Sequence, residues 1–191
     1  MAGSAWAEAW LALTGALRLA RADPGGMACF DKSETGFWHS FHAAILCYPL
    51  YLILLAFPIE FGTPAEVDTF RLFAVETIHY VISWVAFPLL MLPLVDRLRR
   101  GDRYFDFMVA YNWCQVPQTV VFAAVALAGG VGLLSAQGML VGDLIAGLAA
   151  LVYEWYVSRV ALAVSRPRAV LVILVDVVLA TVLSHVSAAL Y

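Results

Sequence analysis

Charge is what this sequence has least of. Only 13% of its 191 residues are Asp, Glu, Lys or Arg, while 63% are hydrophobic and the mean hydropathy is +0.87. Soluble domains carry about 25% charged residues because their surfaces face water, so most of this surface is expected to face lipid. Cysteine is sparse too. Cys29, Cys47 and Cys114 form no CxxC pair, which removes zinc spacing and makes a disulfide framework unexpected. Cys47 and Cys114 fall in apolar runs, where a thiol behaves as a small hydrophobe. No GxxxxGK or GxGxxG phosphate loop occurs, no GxSxG elbow and no HExxH, and these absences argue against the familiar catalytic classes. A formal charge of −3 with no basic patch sets nucleic acid aside as a partner. The opening residues hold Glu8 and no Lys or Arg, unlike the positive start of a signal peptide, so no cleaved leader is expected.

What is present is a set of long apolar runs. A membrane-crossing helix needs ~20 apolar residues at ~1.5 Å rise each, which predicts spans over 37–58, 72–95, 106–130, 138–163 and 169–190. The linker 59–71 is acidic, with Glu60, Glu66 and Asp68 against Arg71, whereas the linker 96–105 holds Arg97, Arg99, Arg100 and Arg103. Arg159 closes the fourth span, Arg166 and Arg168 flank Pro167, and Arg18, Arg21 and Lys32 precede the first. Cytoplasmic loops carry the excess of Lys and Arg. With the N-terminus inside, ten of the eleven basic residues fall inside and only Arg71 outside. The expectation is therefore a bacterial inner-membrane protein with a cytoplasmic N-terminus and Tyr191 in the periplasm.

The fold class expected is an all-α integral membrane bundle of five transmembrane helices over 36–191, after a cytoplasmic N-terminal segment over 1–35. In that segment Trp6, Trp10, Leu13 and Leu17 recur at helical spacing and make one apolar stripe. Ser4 can cap the start, Glu8 suits the positive end of the helix dipole, and Arg18 with Arg21 suits the negative end. Asp23-Pro24-Gly25-Gly26 stops the helix. Such an amphipathic helix lies in the headgroup layer or docks on the cytoplasmic ends of the spans.

Ionisable side chains at bilayer depth cost at least ~2.5–3.5 kcal/mol each, so each asks for an explanation. They fall into two layers. Asn112, Gln115, Glu154, Arg159 and Asp176, with His42, lie towards the cytoplasmic side. Spans four and five join through a tight turn, which brings Glu154, Arg159 and Asp176 to one depth. Arg159 can then neutralise one carboxylate in forked geometry, and the other would take a proton or a partner such as Tyr153 or Asn112. These residues read either as a structural network, with Arg159 snorkelling to the headgroups, or as a polar pathway for transport. Glu76, His79, Asp143 and His185 form a candidate outer cluster. His79 and His185 are the one co-level histidine pair that a haem iron or metal would use, yet no cofactor is expected, and hydrogen-bonded histidines are the plainer reading. In span three Pro117 cannot donate to the carbonyl of Trp113, so the helix should bend, with nearby amides meeting the freed carbonyl. Small residues at every fourth position, Gly138, Gly142, Ala146 and Ala150, permit close helix approach, internally or to a second copy or another membrane protein.

Three stretches, FDKSETGFWHSF, WVAFPLLM and RYFDFMVAYNW followed by PQ, together resemble uncharacterised small five-span inner-membrane proteins of alphaproteobacteria. The resemblance covers roughly residues 28–120 and implies a topology but no residue roles. The architecture is also similar to the Yip1 family, which has five spans and a cytoplasmic N-terminus and is associated with membrane shaping and partner recruitment. The DLYGP-type signature of that family is absent here. Together these readings favour a non-catalytic membrane scaffold or accessory subunit, with a small transporter or channel as the alternative and a haem-binding electron carrier as the third option.

Overall fold

A chain in lipid must pair its backbone N–H and C=O groups internally, and helices do so within each segment. The protein is described by a computed structural model over residues 2–56 and 68–190, and these residues form helices with no strand among them. In chain order they are α1 (Ala2–Ala20), a short 3-10 turn (Pro24–Cys29), α2 (Glu34–Ser40), α3 (His42–Ala56), α4 (Thr69–Arg97), α5 (Tyr104–Gly130), α6 (Ala136–Ala161) and α7 (Arg166–Ala188). Five stretches are long and apolar enough to cross a membrane: Glu34–Leu55, Thr69–Arg97, Gly101–Gly130, Ala136–Ala161 and Arg166–Ala188. The acidic linker residues Glu60 and Glu66, the end of the first expected span and Tyr191 lie outside the described residues.

The first crossing is not one helix, as its hydropathy implied, but α2 and α3 separated at Phe41. Ser33 caps α2, its Oγ accepting from the Gly36 N–H at 3.0 Å. Gly36 is required there because a Cβ would collide with the carbonyl of Asp31. The prolines at 49, 88, 93 and 117 all sit inside helices that continue through them. Near Pro117 the Gln118 amide reaches the carbonyl of Cys114 at 3.2 Å, not the freed carbonyl of Trp113.

The close-packed core sits where the α4–α5 and α6–α7 connections meet the N-terminal segment. Phe107, Met108 and Ala110 of α5 are fully buried against Met91 and Val95 of α4, Val157 and Ala161 of α6, and Ala169 and Val172 of α7. The helix α1 completes this core. Ala12, Ala16 and Leu19 bury one of its faces, Tyr153 Oη donates to the Ala16 carbonyl at 2.6 Å, and Tyr156 Oη donates to the Ala22 carbonyl at 2.7 Å. These contacts dock α1 on the bundle, one of the two placements expected for it.

The docked face is made mainly of Ala12, Ala16 and Leu19; of the predicted stripe only Leu13 packs partly against the core among the described residues. Trp6 and Trp10 are 75% and 74% exposed, and Leu17 is exposed as well. The reason is steric: alanines let α1 approach α5 and α6 closely, whereas tryptophans would hold it away. Ser4 lies within α1, which starts at Ala2, and so is not its N-cap. Glu8 finds a specific partner in His39 at 3.0 Å. Arg18 Nε pairs with Asp23 Oδ2 at 2.7 Å, while Asp23 Oδ1 accepts from the Gly25 N–H and starts the turn that ends the helix.

The small-residue stripe of α6 serves an internal contact. A Cβ on Gly142 would meet Val125 of α5 at 2.9 Å, and Ala146 is buried on the same face. Gly138 faces its own preceding turn at Leu134 and Ser135.

Two outcomes test this packing. Gly142→Val should destabilise the α5–α6 contact by about 1–3 kcal/mol, the usual cost of overpacking, read as a lower unfolding midpoint in detergent. The Arg18 guanidinium, chiefly by its hydrogen bond, holds the Asp23 carboxyl below its usual range. A group with a depressed folded-state pKa contributes stability that is complete above its unfolded value and lost as pH falls through the folded one. Proteolytic release of α1 should therefore accelerate in acid below the ordinary aspartate value of 3.8, and Asp23→Asn should remove the part of that acid dependence due to this pair.

Candidate polar site within the bundle

The helices α5, α6 and α7 bring their polar residues together midway along the bundle, beyond the close-packed core. Tyr111 Oη donates to Asp176 Oδ2 at 2.8 Å. Glu154, only 9% exposed, adjoins the Asp176 carboxyl and the amides of Gln115 and Gln118. Asn112, 1% exposed, donates from Nδ2 to Ser40 Oγ at 2.8 Å, and Ser40 in turn donates to the Phe37 carbonyl. Among the described residues no Lys, Arg or His forms an ion pair with Glu154 or Asp176.

Arg159 was expected in this network and is not in it. It comes five residues after Glu154, which places it about 140° round the helix and ~7.5 Å further along. Its guanidinium instead lies over the Trp155 ring, 5.7 Å from the centroid. Tyr153, also expected beside the carboxylates, is turned to α1. The residue that reasoning from sequence missed is Tyr111. Its position one residue before Asn112 was visible, but which face of α5 meets α7 was not.

The four residues of the outer cluster separate into three places. Glu76 and His79 do meet, with His79 Nδ1 3.1 Å from Glu76 Oε2 across one turn of α4. Glu76 is buried and also accepts from Tyr51 Oη at 2.5 Å and from Ser187 Oγ at 2.6 Å, which ties α3, α4 and α7 at one point. His185 does not join them. It is two residues, hence about 200°, from Ser187, and it lies exposed with Nδ1 2.8 Å from the Thr181 carbonyl. His79 and His185 therefore do not face one another. Asp143 lies on a different face, between α5 and α6.

Two cavities adjoin these groups. One of about 360 Å³ lies among α3 to α7, and Tyr51, His79, Tyr111, Asn112 and Asp176 stand in its wall. A second of about 490 Å³ runs between α5 and α6 from Asp143 to Gln118. Gln115, Thr119, Phe122 and Glu154 border both, so Glu154 separates one space from the other. Among the described residues no three His, Cys, Asp or Glu side chains converge as metal ligands would. No protein-family model, curated protein or solved structure matches this chain.

Chemically, two adjoining carboxyl groups away from bulk water, with no basic partner, share a proton or hold a cation between them. Tyr111→Phe, which removes the hydroxyl bonded to Asp176, should cost about 1–3 kcal/mol because a half-buried carboxyl loses its partner. Arg159→Gln should cost about 1 kcal/mol or less, since only a ring contact at the bundle end is lost. Comparing the two variants by unfolding in detergent tests the assignment; a larger loss for Arg159→Gln would restore the arginine to the network.

Proposed function

We propose that this chain is a small multi-pass membrane transporter whose Glu154–Asp176 pair is its coupling site for a proton or cation. The observation that carries the reading is that pair itself, adjoining a cavity inside the bundle with no Lys, Arg or His paired to it among the described residues. An ionisable group at bilayer depth marks an ion or substrate path by default unless its charge is balanced structurally, and here the expected arginine is turned elsewhere. Asp143 at the far end of the second cavity supplies a further acceptor along that path.

The orientation and membrane belong to the same proposal. The basic residues of the N-terminal segment and of the α4–α5 and α6–α7 connections gather at one end of the bundle, which supports a cytoplasmic N-terminus in a bacterial inner membrane. The second reading is a scaffold or accessory subunit, consistent with the Yip1-like topology. It rests on Trp6 and Trp10, which face outward from a helix already anchored by its opposite side. Tryptophan favours the headgroup layer and interfaces alike.

Proteoliposomes holding the purified chain should dissipate an imposed proton or sodium gradient, and Asp176→Asn or Glu154→Gln should reduce that flux by about tenfold or more while the protein remains folded. Absence of flux, together with stoichiometric recovery of a second membrane protein in mild detergent, would leave the scaffold reading in its place.

A further inference from the structure

The aromatic lining of the cavity among α3 to α7 goes beyond what a proton or bare metal ion would need. Tyr51, Tyr80, Trp84, Phe87, Tyr111 and Phe122 all stand in the wall of the 360 Å³ cavity. Their rings approach one another, Tyr51 to Tyr80 with centroids at 4.9 Å and Phe87 to Tyr111 stacked at 4.3 Å. Drug-sized ligands occupy cavities of about 300–1,000 Å³ lined by apolar and aromatic groups with a few convergent polar atoms. Aromatic faces attract an organic cation by their quadrupole, and more so when water is excluded.

The polar atoms here have a definite sign. Glu154 and Asp176 offer negative charge, and of the groups lining the cavity only His79 can be cationic, where Glu76 already engages it. The remaining titratable groups in the wall are Cys47 and Tyr51 from α3, Tyr80 from α4 and Tyr111 from α5, none of them cationic in any state. Asn112, whose Nδ2 donates to Ser40 Oγ, borders the cavity as well.

We infer that the ligand of this cavity is a protonated organic amine bearing an aromatic or comparably apolar body. The ammonium sits between Asp176 and Glu154, and the body lies among the rings. Entry of the ammonium releases the proton the two carboxyls share, so the charge of the site is unchanged and one amine exchanges for one proton. This assignment rests on the transport reading and narrows its substrate class.

The test is calorimetric titration of the full chain in detergent with 2-phenylethylammonium and with 2-phenylethanol, its uncharged counterpart of similar size. The ammonium should bind saturably and at least about tenfold more tightly than the alcohol, as a charge-assisted contact implies. Binding should release close to one proton, seen by repeating the titration in buffers of different ionisation enthalpy. Asp176→Asn should weaken ammonium binding by about tenfold, with its unfolding midpoint confirming that the variant folds. Equal affinity for the alcohol would mean a plain apolar pocket and overturn the inference. No binding, alongside proton or sodium flux that still depends on Asp176, would overturn the amine and leave transport standing. Neither binding nor flux would overturn both.

Discussion

Polar groups that lie at bilayer depth must find their partners inside the protein, because lipid supplies none. The Tyr111–Asp176 hydrogen bond, with Glu154 alongside, is where that constraint acts most strongly in this chain. It joins α5 to α7, with α6 adjoining, at a single level. A tyrosine hydroxyl can satisfy a carboxyl without neutralising it, so the contact holds the helices together yet leaves the charge of the pair to be settled by a proton or a ligand. A structural ion pair with arginine would have closed that question; the geometry leaves it open to chemistry.

The rest of the fold serves that position. At the basic end a dense core of Phe107, Met108, Val157 and Ala161 excludes water, and α1 lies over it through Ala12, Ala16 and Leu19. At the other end Glu76 gathers Tyr51, His79 and Ser187 and fixes α3, α4 and α7 relative to one another. Between these two tied ends lie the cavities and the carboxyl pair. An arrangement packed tightly at one end, latched at the other and hollow between suits a protein that binds something within the membrane. Pro88 in the wall of the aromatic-lined cavity and Pro117 in α5 each remove one backbone hydrogen bond near that hollow, which lowers the cost of bending the helices around it.

The spans were legible because hydrophobic run length is a direct reading of bilayer thickness, and the five apolar stretches agree with it to within a few residues. The break at Phe41 was not legible, since hydropathy is blind to a one-residue interruption of a helix within an apolar run. Depth along the bundle could be estimated by counting, so Glu154 and Asp176 were rightly brought level, as were Glu76 and His79. Azimuth could not. Arg159, His185 and Asp143 were grouped by depth alone, and each turned out to project from a different side of its helix. The same gap hid how α1 docks: the conspicuous tryptophans pointed to the headgroup layer, and the modest alanines on the opposite side supplied the packing face. Tyr111 and Ser187 escaped notice because a single hydroxyl in an apolar helix carries no signal until its neighbour across the interface is known.

Glu154 and Asp176 adjoin one another across α6 and α7, with Arg159 apart from both. Pairwise cysteine cross-linking in native membranes tests this most directly, with Cys29, Cys47 and Cys114 replaced by serine or alanine. Glu154→Cys combined with Asp176→Cys should cross-link rapidly with a short bifunctional thiol reagent, and Arg159→Cys combined with Asp176→Cys should not. Rapid linkage of 159 to 176, with 154 unreactive towards 176, would contradict the arrangement.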